Sequence, residues 1–272
     1  MYTIENKAIE VNGIKMCYKI FGSNNVAKKI LLLHGWNTAG TSSWEPFIKK
    51  FQPQVDSKQI QIIAPDLPGM GGSGEPETVW TAEDFAKQIH NFLCKVYTPT
   101  DLGKINLIGH SFGGAICTWL CSLYPQTYSS LVLVAPAIIR LPENKKQKII
   151  SKITKLSKKI LDFPAFKGLK NFAKNTWYRL IGSTDYAKTK GIMKEIMSVV
   201  IRQDLQFLLE RVEVPTLILW GTKDTYTPFW QAKIIQKKIA VSKLIVFENT
   251  NHGIHLYQKE NLYNAALEYL DL

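Results

Sequence analysis

The chain has 272 residues, 46% of them hydrophobic and 21% charged, which excludes a disordered or fibrous protein and suits one large α/β domain with a buried core. Its net charge of +12 is uneven: residues 137–211 hold 17 of the 34 basic side chains but 6 of the 22 acidic ones, and the rest of the chain is nearly balanced. No apolar stretch approaches the roughly 20 residues of a membrane span, the N-terminus carries no basic-then-apolar signal, and the four cysteines lack metal spacing, so the expectation is a cytoplasmic protein with reduced thiols.

Residues Tyr2 to Phe21 alternate in polarity around Asn12-Gly13. An Asn-Gly pair between such runs predicts a hairpin. Unbroken apolar runs follow at Lys29–Leu33, Gln59–Ala64, Lys104–Ile108, Leu131–Ala135, Thr216–Trp220 and Lys243–Phe247. Runs of this length bounded by Gly, Pro or Asp predict strands buried on both faces of a parallel sheet. Helical patterns lie between them at Ser43–Phe51, Thr81–Tyr97, Ala115–Tyr124, Pro228–Ile239 and Glu260–Leu270. Strand and helix alternate, so the predicted class is α/β with a mostly parallel, doubly wound sheet. Ligands on such sheets bind beyond the carboxyl ends of the strands.

Residues 137–211 interrupt the alternation. They read as several helices without a strand, and Lys148–Leu161 places isoleucine and leucine near helical spacing with lysines between. The expected organisation is a core of residues 1–136 and 212–272 with a helical cap inserted at 137–211. Phe163, Phe166, Phe172, Trp177, Tyr178 and Met193 are candidates for pocket walls, with packing inside the cap as their plain alternative.

Gly109-His110-Ser111-Phe112-Gly113 falls between the predicted strand at 104–108 and the helix that follows. A serine in G-x-S-x-G at such a corner sits on a sharp turn with its oxygen clear of the sheet, although a serine there could also do no more than cap the helix. A hydroxyl needs a base to accept its proton, and the base needs an acid to orient it. Asp224 follows one apolar run and His252 the next, so both fall on loops at the same sheet edge as Ser111. His255 competes with His252 as base; His252 is preferred because it comes first after the strand. Backbone N–H groups of Trp36, in Leu33-His34-Gly35-Trp36, and of Phe112 are placed to receive a developing oxyanion.

Together with the loop Asp66-Leu-Pro-Gly69-Met-Gly71-Gly-Ser73, these segments resemble the α/β-hydrolase superfamily over nearly the whole chain. The stretch after His252 departs from the common pattern, with Tyr257 and Lys259 where a glutamate and a proline often stand. The resemblance implies an esterase-like serine hydrolase with Ser111 as nucleophile, His252 as base and Asp224 as acid, acting on a small-molecule carboxylic ester of small to medium acyl size. The mechanism requires no metal or cofactor. A serine ether would not hydrolyse readily, so halide and epoxide opening are excluded. Hydrolysis of a carbon–carbon bond, lactone or amide on the same triad remains open, as does a slow-turnover ligand receptor. The basic insert reads first as a solvated face whose lysine stems cover apolar surface. Nucleic acid is not an expected partner, because no stacking platform accompanies the charge. Contact with an anionic membrane surface is conceivable but not expected. A monomer or homodimer is expected.

Overall fold

A computed structural model describes residues 2–103, 105–140 and 189–272. Among the described residues eight strands form one sheet in the order β1-β2-β4-β3-β5-β6-β7-β8. They are β1 (Glu5–Val11), β2 (Ile14–Phe21), β3 (Lys28–Leu33), β4 (Ile60–Pro65), β5 (Ile105–His110), β6 (Ser130–Val134), β7 (Thr216–Gly221) and β8 (Ser242–Phe247). The hairpin forms as predicted: Asn12 and Gly13 have φ of 50° and 77°, and Val11 pairs with Ile14 across them. β2 also pairs antiparallel with β4, and every pair from β4 to β8 is parallel. The chain therefore builds outward from β3 in both directions, and the order reverses between β3 and β5. That reversal opens the crevice where such sheets bind ligands.

Among the described residues five helices reach nine or more residues: α1 (Ala82–Val96), α2 (Phe112–Leu123), α3 (Gly191–Val200), α4 (Trp230–Lys238) and α5 (Lys259–Leu270). α1 starts at a capping box, in which Asp84 accepts from the Thr81 backbone N–H at 2.8 Å and the Thr81 side chain accepts in return. Its buried face carries Phe85, Ile89, Phe92 and Leu93. α2 is buried along almost its whole length, from Phe112 to Cys121, because it lies between the sheet and α1. Truncating a fully buried ring such as Phe92 to alanine in such a core costs about 3–5 kcal/mol.

The segment expected as one helix at Ser43–Phe51 is instead a broken series: 3-10 turns at Gly40–Trp44 and Lys49–Phe51 alternate with short α-helices at Glu45–Ile48 and Gln52–Asp56. Pro46 and Pro53 each fall in the first turn of one short helix, where a missing N–H is harmless. Neither could sit inside one continuous helix without losing a hydrogen bond.

Of the insert, Ala137–Arg140 and residues 189–211 are described; Lys148–Leu161 and five of the six pocket candidates, Phe163, Phe166, Phe172, Trp177 and Tyr178, lie outside the described residues. The two described ends are tied together. Leu205 N–H donates to Ile138 O at 2.9 Å, and the Arg140 guanidinium donates to the carbonyls of Gln203 and Val200 at 2.9 and 2.8 Å. Leu208 and Leu209 then enter the core against α2.

Candidate active site

β5 runs straight into α2 at Ser111, whose backbone takes φ 52° and ψ −114°. A non-glycine residue in that region is strained by about 1–3 kcal/mol and persists only where its surroundings fix it. Three hydrogen bonds do so: Ser111 N–H donates to Val134 O at 3.0 Å, and Ser111 O accepts from Ala115 and Ala137 N–H at 3.2 and 2.9 Å. Two glycines let the corner close. A Cβ on Gly109 would stand 2.6 Å from Gly113 O, and one on Gly113 would stand 2.4 Å from Leu33 O. Although Ser111 occupies the N-cap position of α2, its side chain makes no capping hydrogen bond. The hydroxyl is therefore not spent on the helix end.

Asp224 follows β7 and His252 follows β8. His252 Nδ1 lies 2.7 Å from Asp224 Oδ2, with the carboxylate side chain fully buried. An ionised carboxylate only accepts, so Nδ1 carries the proton and Nε2 is left with its lone pair. The acid also accepts from the backbone N–H groups of Tyr226 and Thr227 through Oδ1, both at 2.9 Å. The turn-forming role open to an aspartate here and its pairing with the histidine are thus both realised, one through each oxygen.

Ser111 is linked to this pair through its neighbour His110. His110 donates from Nε2 to His252 O at 3.0 Å, and the two rings lie 4.8 Å apart. Among the described residues no hydrogen bond joins Ser111 Oγ to the His252 ring itself. Such contacts are often long before a substrate is bound.

The loop after β3 closes the opposite side. A Cβ on Gly35 would lie 3.2 Å from Ser111 Cβ, so glycine is what lets this loop run against the serine. The Trp36 and Phe112 rings are 5.4 Å apart. Phe112 is the first residue of α2, and its N–H has no intrahelical partner. Trp36, after Gly35, and Phe112, after Ser111, thus belong to the two segments that meet at the serine, the loop after β3 and the start of α2. His34 is buried below them, donating from Nδ1 to Gly35 O at 2.6 Å and accepting at Nε2 from Leu67 N–H at 3.0 Å. Asp66 accepts from the N–H groups of Thr41 and Gly72 at 2.7 and 2.9 Å, so its carboxylate braces a loop.

His255, the rival base, is placed elsewhere. It lies on a short helix at Ile254–Tyr257 and stacks on Trp44 at 4.3 Å and 8°. Burial, with His252 nearby, lowers its pKa from 6.5 to about 4. Burial also lowers His34, and it lowers His110 far further, with His255 and His252 adding to the effect. Residue-by-residue reading of the sequence missed His110 and Thr227. Both stood in plain view, His110 directly before Ser111 and Thr227 three residues after Asp224, a spacing common to side chains that bond a neighbouring turn.

A cavity of about 330 Å³ opens beside Trp36, lined in part by Thr38, Met70, Glu75, Lys190 and Met193. Met193 is the pocket candidate that is described, and its thioether rests on Gly69. Among the described residues no helix is long and apolar enough to cross a membrane, and no group of three or more His, Cys, Asp or Glu is arranged to hold a metal ion.

A family model described as the alpha/beta hydrolase fold matches residues 28–148. Monoacylglycerol lipase ABHD6 of Mus musculus is 25% identical over 282 residues, spanning 94% of this chain and 79% of that protein. The pimeloyl-acyl-carrier-protein methyl ester esterase of Neisseria meningitidis serogroup A is 25% identical over 250 residues, spanning 87% of this chain and 74% of its own length. Among solved structures, bromoperoxidase from Bacillus anthracis superposes with a TM-score of 0.73 at 21% identity, covering 98% of this chain and all of its own. At that identity the last likeness speaks for the fold alone.

Proposed function

We propose that this chain, which has the α/β-hydrolase fold, is a serine hydrolase cleaving carboxylic esters of small to medium acyl groups. The observation that carries the proposal is the 2.7 Å bond from His252 Nδ1 to the buried Asp224. It fixes the tautomer that leaves Nε2 free, on a ring 4.8 Å from that of His110, the residue before the uncapped Ser111. In the proposed reaction Ser111 Oγ bonds to the ester carbonyl carbon while His252 Nε2 takes its proton. The carbonyl electron pair moves onto oxygen, where the N–H groups of Trp36 and Phe112 receive it. Collapse expels the alcohol, which takes the proton from His252 and leaves Ser111 acylated. Water, deprotonated by the same ring, then releases the acid and restores the serine. Asp224 stays ionised and stabilises the imidazolium.

The names of the two curated relatives, a monoacylglycerol lipase and a methyl ester esterase, support ester chemistry. We further propose the insert at 137–211 as the cap over this site, with 1–136 and 212–272 as the core; the ties between its ends and the contact of Met193 with Gly69 favour that division. Its basic side chains are read as a solvated face. Four unpaired cysteines suit a reducing, cytoplasmic setting.

The test is hydrolysis of p-nitrophenyl esters of rising chain length, beside lactone and carbon–carbon substrates. A burst of p-nitrophenol from a short ester is expected, and Ser111→Ala should reduce kcat by roughly a thousandfold or more. Ester turnover that survives Ser111→Ala would sink the proposal.

A further inference from the structure

We infer that Thr227 is a positioning residue: its buried hydroxyl completes the hydrogen-bond shell of Asp224 and, through that carboxylate, aims the His252 ring. The inference rests on the pairing proposed above. An ionised carboxylate offers about four acceptor sites. Tyr226 and Thr227 N–H fill Oδ1, each at 2.9 Å. His252 Nδ1–H fills one site of Oδ2 at 2.7 Å, and Thr227 Oγ1–H fills the other at 2.8 Å. Thr227 therefore holds both oxygens of one carboxylate, one through its backbone and one through its side chain. Its Oγ1 also lies 3.3 Å from His252 Nδ1, in the angle of the acid–base bond. The hydroxyl has one proton and two acceptors in reach, Asp224 Oδ2 at 2.8 Å and Ala135 O at 3.4 Å; the shorter and charged one takes it.

A bracing role for the turn would explain a threonine here, but the turn is already braced without the hydroxyl. Trp220 Nε1–H donates to Thr227 O at 2.8 Å, and Thr227 N–H holds Asp224 Oδ1. What the hydroxyl adds is directed at the oxygen that receives the histidine. With Thr227 and Asp224 only 4% and 5% exposed, water cannot replace it. Valine keeps the shape and removes the donor. The carboxylate then swings more freely, and the negative charge on Oδ2 is shared with one partner fewer, so the imidazolium is held more tightly. The ionisable groups facing His252 are Asp224, His110 at 4.8 Å, Tyr226 at 5.2 Å, and His255, and all are common to every variant.

Thr227→Val and Thr227→Ser are compared with the intact protein by two readouts. One is the kcat and KM of p-nitrophenyl acetate hydrolysis across pH. The other is the downfield Nδ1–H resonance of His252 in protein labelled with 15N-histidine, followed through its pH titration, which needs no substrate. In Thr227→Val kcat should fall about three- to tenfold with KM unchanged. The acid limb and the histidine titration should both move up by roughly a few tenths of a pH unit, and the resonance should shift. Thr227→Ser should restore all of these, whereas a purely structural role would lower the melting temperature and leave the titration alone. An unmoved titration and resonance in Thr227→Val, or a serine variant that behaves like the valine one, overturns the inference. If the intact protein hydrolyses no ester while the resonance follows the hydroxyl, the ester reading falls and the positioning role stands.

Discussion

His252 and His255 are three residues apart and chemically identical, yet their surroundings separate them. One donates to a buried carboxylate, and the other is pressed flat against Trp44 with its titration driven down to about 4. A phenyl ring can keep that stack, so His255→Phe should leave kcat for p-nitrophenyl acetate within about twofold, whereas His252→Phe should lose about a thousandfold or more. Equal losses in that assay would show that His255 shares the chemistry. Ser111, Asp224 and His252 were legible in the sequence because each directly follows an apolar run, and the order of runs fixes the sheet edge. The roles of His110 and Thr227 were not, because they depend on tertiary contact: His110 bonds a carbonyl 142 positions away, and Thr227, which bonds Asp224 three residues back, meets the His252 ring 25 positions away.

The corner between β5 and α2 is where whole elements, more than any side chain, fix the position of Ser111. With Leu33 O 2.4 Å from where a Cβ would stand, Gly113→Ala must push α2 away from β3. A shift of that kind should cost on the order of 3 kcal/mol and lower the melting temperature by roughly 6–12 °C. Thermal unfolding measures it, and an unchanged transition would mean that the corner tolerates a methyl group. Strand positions were read correctly to within a residue or two from β2 onward, since buried apolar runs have sharp ends; β1 begins three residues later than expected. The helix at 43–51 was misjudged because its apolar spacing hid the effect of Pro46.

The whole molecule concentrates His34, His110, His252 and His255 under the carboxyl edge of its sheet, and it keeps three of them reluctant to ionise. For His255 the sign follows from the two pKa values, the ordinary 6.5 in the unfolded chain and about 4 in the folded one. Above the higher value both states are neutral and pH has no effect. Between the two, the unfolded chain takes a proton that the folded chain refuses, so stability falls as pH falls. His34 and His110 act in the same direction. The melting temperature should therefore drop between about pH 7 and about pH 5, and His255→Phe should lessen the drop without abolishing it. A variant with the same acid sensitivity would remove His255 from that account.

The 142-position bond between His110 and the carbonyl of His252 also bears on when the chain becomes active. Synthesis runs from the N-terminus, and domains organise as their parts emerge. The strand-to-helix corner with its serine exists long before β7 and β8 have been made. Until they dock, no carboxylate and no imidazole stand beside that hydroxyl, and the growing chain carries a nucleophile that is chemically silent. On the proposed reading, the last strand to join the sheet thus decides the moment at which the hydroxyl can first react.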